Sequence, residues 1–213
     1  EEKKGKRKSL YTRSIAPGTS VYGERLIKKG EQEYREWDPR RSKLAAAIIK
    51  GCPNIFMRKG DTVLYLGAST GTTVSHVSDI VGEDGFIFAV EFAPRVAREL
   101  VFLAEQRNNI APLLDDARHP ENYKDVVKNA DVLYQDVAQK DQLSVLFRNA
   151  DMLLKKDGHV LFFVKSRSID VTKQPKKVFA AVRKELEKKL TIVDSRDLAP
   201  FEKDHMVFIC KKR

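Results

Sequence analysis

From about residue 60 onward, short apolar and β-branched runs alternate with longer segments whose apolar positions recur every three or four residues. The runs predict strands over 62–66, 86–91, 110–115, 131–136, 159–165, 191–195 and 206–211. The periodic segments predict helices over 72–81, 94–106, 121–128, 141–156 and 174–188. Strands alternating with helices are the signature of a parallel sheet covered on both faces. The stretch from Ser195 to Asp204 is too short for a crossover helix of usual length, so the last two strands should pair antiparallel. The expected architecture is α/β, with a seven-stranded, mostly parallel sheet whose last strand is antiparallel.

Residues 1–55 have a different texture. Short β-like segments at Leu10-Tyr11-Thr12, Val21 to Ile27 and Tyr34 to Trp37 are separated by turn signals such as Ala16-Pro17-Gly18 and Lys28-Lys29-Gly30. They predict a small β-rich N-terminal subdomain, followed by the α/β domain over 56–213. After Asp38-Pro39, the segment from Arg41 to Lys50 is helix-prone and ends at Gly51 and Pro53.

The most informative junction joins the strand Thr62-Val63-Leu64-Tyr65-Leu66 to the helix that starts near Thr72. Gly67-Ala68-Ser69-Thr70-Gly71 between them allows positive φ and close approach of a ligand, and Thr72, Thr73 and Ser75 can cap the helix. The spacing is G-x-x-x-G without lysine, so neither the dinucleotide fingerprint nor a phosphate loop is met. About twenty residues further on, the next strand ends in Glu91, where α/β nucleotide sites hold a ribose. Adenosine without phosphate points to S-adenosyl-L-methionine. Ligands of open α/β sheets bind beyond the carboxyl ends of the strands. Glu91 is therefore expected to accept from the ribose diol, Phe92 to cover the adenine, and Asp116 to accept from the adenine amino group beside the Ala117 N–H. Thr72, Thr73 and Gln139 are expected at the methionine end. Asp136, at a third strand end, is expected to line the cofactor site too; the plainer alternative is that Glu91, Asp116 and Asp136 cap helices, which three in succession beside such a turn make the weaker account.

Lys and Arg number 40 against 30 Asp and Glu in 213 residues, a net charge of +10 with a pI near 9.5. That balance favours a polyanionic partner, nucleic acid first, although 33% charged residues also suit a heat-adapted surface. Cys52 and Cys210 stand far apart, so no disulfide framework or zinc site is suggested and a reducing cytoplasm fits. No apolar run approaches the roughly twenty residues of a membrane span, and the start is too polar for a signal peptide. No metal site is expected. His76, His119 and His159 carry plain structural readings.

Ordered motifs along nearly the whole chain resemble fibrillarin in its short archaeal form. They are Trp37-Asp38-Pro39 leading into Arg41-Ser42-Lys43-Leu44-Ala45-Ala46, the glycine turn, Val90-Glu91-Phe92, and Asp116-Ala117-Arg118-His119-Pro120. Asp136-Val137-Ala138-Gln139, Lys165-Ser166-Arg167-Ser168-Ile169-Asp170 and Glu202-Lys203-Asp204-His205 continue the likeness. Thr70, Gln135 and Lys140 depart from the pattern without removing a charged site residue. The resemblance implies a Rossmann-like methyltransferase that moves a methyl group from S-adenosyl-L-methionine to ribose 2′-hydroxyls of ribosomal and transfer RNA. It further implies a box C/D guide RNA and target RNA, a Nop-family scaffold protein and a kink-turn-binding, ribosomal-protein-like subunit. The implied catalytic constellation is Lys43, Asp136, Lys165 and His205.

A separate physical argument bears on Lys165. It ends the apolar strand Leu161-Phe162-Phe163-Val164, where a cation is unexpected unless an anion such as Asp136 awaits it. Lys165 is expected to be the base, oriented by Asp136, with Lys43 and His205 completing a positive environment. No RNA-recognition signature is present, so selectivity should come from a guide. The basic run from Lys3 to Lys8, with Arg40, Arg41, Lys165, Arg167, Lys173, Lys176 and Lys177, is a candidate phosphate-binding surface. The competing classes are a free-standing small-molecule methyltransferase and a non-catalytic subunit of an RNA–protein particle.

Overall fold

The computed structural model describes the backbone of residues 2–4 and 7–213 and the side chains from Ser9 onward. The side chains of the basic run Lys3 to Lys8 therefore lie outside the described residues. The larger sheet contains β5 (Thr62–Leu66), β6 (Phe86–Glu91), β7 (Ile110–Leu114), β8 (Ala130–Gln135), β9 (Leu154–Lys165), β10 (Leu190–Asp197) and β11 (His205–Lys212). Its strand order is β10-β11-β9-β8-β5-β6-β7. The pairs from β9 through β7 are parallel, and β11 runs antiparallel to both of its neighbours, as expected. A four-stranded antiparallel sheet, β1-β2-β4-β3, uses β1 (Glu2–Lys4), β2 (Arg7–Arg13), β3 (Leu26–Lys29) and β4 (Gln32–Trp37).

Period-two alternation splits the core into two layers. On one face Val63, Tyr65, Tyr134, Phe163 and Val207 pack under α1 (Lys43–Ile49), α2 (Thr72–Val81) and α3 (Pro94–Glu105), together with Leu10 and Trp37 of the small sheet. On the other, Leu64, Leu133, Phe162, Val164 and Phe208 meet α4 (Gln142–Leu153) and α6 (Pro175–Lys189). A single turn, α5 (Ser166–Ile169), follows β9.

Three expectations are corrected. The helix over 121–128 is absent: a 3-10 turn at Pro120–Asn122 runs into irregular turns. Asn122 donates to Asp115, and Asn129 takes a left-handed φ of 52° that leads straight into β8. The helix over 141–156 stops at Leu153 because Leu154 already pairs with Ala130, and residues 155–158 bulge before His159 pairs with Val132. The segment Val21 to Ile27 becomes a strand only from Leu26. Before it, the Glu24 carboxylate accepts from the Val21 and Tyr22 N–H groups and folds the chain back on itself.

A buried ionic cluster, unforeseen in the sequence, ties the small sheet to α2. Asp79 accepts from Arg35 at 2.8 Å, from Arg107 at 2.7 Å and from the Thr12 hydroxyl at 2.7 Å. His76 lies beside it, bonded to Thr12 and Tyr22 at 2.7 Å each and stacked on Trp37 at 4.8 Å. Burial, reinforced by the Arg35 and Arg107 charges, pushes the His76 imidazole down to about 2. Unfolded, it titrates near 6.5, so between those pH values the unfolded chain binds the additional proton and stability is lost as the pH falls. Urea unfolding at pH 7 and pH 5 should show the wild type losing about 2 kcal/mol more than His76→Gln over that interval. Equal losses would mean that the imidazole is accessible.

Candidate functional site

The turn between β5 and α2 sits where the expected ligand requires it. Gly67 has φ 82°, and a Cβ there would run into the carbonyl oxygen of Asp136 and crowd Val137. The Gly67 and Ala68 N–H groups both donate to the Val90 carbonyl at 3.0 Å, and the Asp136 N–H donates to the Leu66 carbonyl at 3.0 Å. Three strand ends are thereby drawn around a backbone with no side chain in the way, a cradle suited to a close-packed small molecule. Glu91, buried at 7% exposure, is fixed across the turn, accepting from the Ser69 N–H at 2.9 Å and the Ala93 N–H at 3.0 Å. Gly67→Ala should cost about 1–3 kcal/mol from the left-handed φ alone and displace Asp136 as well. Calorimetry with S-adenosylmethionine should find affinity down by at least tenfold, and wild-type affinity would refute the cradle.

Two recesses meet at this turn and share Gly67, Ser69 and Asp136. One, of about 370 Å³, is lined by Glu91, Phe92, Asp116, Ala117 and Gln139. Phe92 is 66% exposed, an apolar ring left open to cover a planar ligand. The other, of about 200 Å³, is lined by Ala68, Thr72, Thr73, Lys43 and Tyr65. The donor set suits adenosine in the first and an amino-acid end in the second. Gln139 lines the first recess, its backbone carbonyl accepting from the Gln142 side chain at 2.9 Å. The Asp116 carboxylate is already engaged by the Arg118 guanidinium at 2.5 and 2.9 Å, whose hydrogen bonds hold it below the usual carboxylate range.

The four residues of the expected constellation share one rim and one sheet face. Asp136 extends the Tyr134 side of β8. Lys165 extends the Phe163 side of β9, and His205 opens β11 on the Val207 side. His205 is the register partner of Lys165, so their side chains leave the ladder together. Its Nδ1 donates to the Lys203 carbonyl at 2.7 Å, which fixes the orientation of the ring.

The partner of Asp136 is a correction. Lys43, the first residue of α1 after the Ser42 cap, donates to both Asp136 oxygens at 2.7 and 3.0 Å. The Lys165 side chain is exposed and makes no hydrogen bond or ion pair among the described residues. Lys43 reaches the carboxylate from a helix end directly above the β5–β8 edge, ahead of the lysine that terminates β9. Beneath the pair, Tyr65 and Tyr134 stack at 4.0 Å, and burial followed by nearby charge pushes both phenols up. They went unnoticed in the sequence, although each stands two residues before Gly67 or Asp136 and so on the same face.

Arg167 is bonded to Asp204 at 3.1 Å and Lys173 to Asp170 at 3.1 Å, so two cations of the candidate phosphate surface carry partners. Among the described residues no helix is long and apolar enough to cross a membrane.

The family model described as fibrillarin matches residues 1–213. The chain is 52% identical over 203 residues to the fibrillarin-like rRNA/tRNA 2′-O-methyltransferase of Thermococcus onnurineus, covering 95% of this chain and 90% of that protein. Fibrillarin of Methanococcus jannaschii, described as a pre-rRNA processing protein, superposes with a TM-score of 0.94 at 47% identity, covering 97% and 90% of the two chains. Aeropyrum pernix fibrillarin, solved with natively bound S-adenosyl-L-methionine, gives 0.88 at 46% identity over 95% and 88%. The fibrillarin chain of a fibrillarin/Nop5p complex gives 0.88 at 44% identity over 94% and 93%.

Proposed function

Because this chain belongs to the fibrillarin family, we propose that its two joined recesses divide one reaction, cofactor recognition in the larger and methyl transfer at their junction. The protein is an S-adenosylmethionine-dependent RNA 2′-O-methyltransferase. The observation that carries the residue-level reading is the Lys43–Asp136 ion pair at the seam of the recesses, with Lys165 and His205 on the same rim.

When bound, S-adenosylmethionine supplies an electrophilic methyl group on a sulfonium. Glu91, oriented by two backbone N–H groups, accepts from the ribose diol, and Phe92 closes over the adenine. Asp116 and Ala117 read the adenine edge. Thr72 and Thr73 offer the start of α2 to the amino-acid end. The Lys43–Asp136 pair keeps a fixed dipole at the point of transfer, which orients the incoming 2′-hydroxyl. Lys165, whose side chain has no carboxylate partner among the described residues, is the group that takes the hydroxyl proton as attack proceeds. His205, its ring oriented by the Lys203 bond, stands beside it.

A Nop-family protein is the scaffold partner. A box C/D guide RNA selects the target RNA by pairing, and a kink-turn-binding, ribosomal-protein-like subunit completes a cytoplasmic, archaeal-type particle. The absence of any RNA-recognition signature in the sequence supports delegated selectivity. A subunit that had kept only the fold would have no use for the paired Lys43 and Asp136. The test is a reconstituted particle with guide RNA, target RNA and labelled S-adenosylmethionine. Label should enter one guided ribose as a 2′-O-methyl group, and label in the bases or none at all would refute the reading.

A further inference from the structure

Two basic side chains line the recess that contains the ion pair: Lys43 and Arg41. Lys43 is engaged by Asp136, whereas no carboxylate lies within ion-pair distance of Arg41 among the described residues. Arg41 is nevertheless held in place. Its Nη1 donates to the Tyr22 carbonyl at 3.1 Å, and its guanidinium carbon lies 5.0 Å from the Tyr22 ring centre. Tyr22 in turn is fixed from below, its hydroxyl donating to the Glu36 carbonyl at 3.0 Å and meeting His76 Nε2 at 2.7 Å. A guanidinium carries five donors in a rigid fork, so most of this fork remains available while its position is preset. Arg41 also lines two further recesses, of about 370 and 700 Å³, neither of which shares a residue with the Glu91 recess. It therefore stands where the reaction cleft opens away from the adenosine side.

On the RNA 2′-O-methyltransferase reading, we infer that Arg41 is a phosphate anchor whose fork grips the RNA phosphodiester next to the target ribose. The strand continues from there over the two outer recesses. The cofactor carries no phosphate, and planar, bidentate recognition of an oxyanion is what a braced guanidinium does best. Arg41 is thus a binding and positioning residue that holds the 2′-oxygen in line.

The test pairs a protein change with an RNA change in the reconstituted particle, read as single-turnover methylation rate. A neutral methylphosphonate is placed at each of the two phosphates flanking the target ribose in turn. In the wild type one of these should slow transfer about tenfold, and Arg41→Met should slow transfer to unmodified RNA by about the same factor. Combined, the two changes should cost no more than either alone. S-adenosylmethionine affinity and melting temperature should stay at wild-type values in Arg41→Met. Arg41→Lys should regain part of the rate at low salt only. Multiplicative losses, a wild-type rate in Arg41→Met, or a rate loss matched by lost cofactor affinity would overturn the anchor while leaving the activity standing. The last of these would hand Arg41 to the cofactor carboxylate instead. No ribose methylation by the wild type would overturn the activity reading and the anchor together.

Discussion

Asp136→Ala should reduce single-turnover methyl transfer by about a thousandfold or more, with S-adenosylmethionine affinity held within about tenfold of wild type. The carboxylate oxygens are the partners of Lys43, at 2.7 and 3.0 Å, and the methyl-transfer recess loses its fixed ion pair when they go. Cofactor recognition rests mainly on Glu91, Phe92 and the glycine turn, and the atoms of residue 136 that crowd Gly67 are its backbone carbonyl, which the substitution keeps. Lys165→Ala should give a loss of the same order with less effect on binding, since its ammonium has no partner among the described residues to release. The two variants separate the roles: Asp136→Ala should also mobilise Lys43, while Lys165→Ala should leave that ion pair intact. A variant of either residue that retained wild-type rate would remove it from the chemistry.

Asp79→Ala should lower stability by about 3–5 kcal/mol, because it strands the fully buried Arg107 guanidinium and leaves the equally buried Arg35 with Glu24 as its remaining carboxylate among the described residues. For a chain of this size that corresponds to a fall in melting temperature of about 6–20 °C. Circular dichroism melts of the purified protein measure it directly. Arg107 already has two buried nitrogens without a hydrogen-bond partner, so its remaining bonds to Asp79, Ser75 and Ser78 are hard to replace. A fall of less than about 2 °C would show that the cluster is wet or redundant.

Both results concern features of unequal visibility in the chain. The strands were legible because their apolar runs are short, β-branched and bounded by turns, and six of the seven begin within a residue of where the pattern puts them. The shared location of Gly67, Glu91 and Asp116 was legible for the same reason: all fall at strand ends, where topology alone brings them together. The partner of Asp136 was not. Lys43 lies 93 residues upstream on a helix, and nothing local distinguishes its reach from that of Lys165. Arg35, Asp79 and Arg107 were hidden by a different rule. Charged residues on a strand, a helix and a turn are normally solvated, and only the stacking of the small sheet on α2 encloses them. The missing helix over 121–128 shows periodicity misleading in the other direction. Tyr123 and Val127 are buried as a helical face would require, but the backbone reaches those positions through turns.

The pairing of His205 with Lys165 makes the length of the preceding loop as consequential as its chemistry. Sliding β11 by a single residue would deliver methionine or aspartate to the rim and send the imidazole to the far side of the sheet. Side-chain variety between Leu198 and Asp204 is therefore tolerable in a way that insertions and deletions are not. A lineage could rewrite that connection freely only by conserving its count.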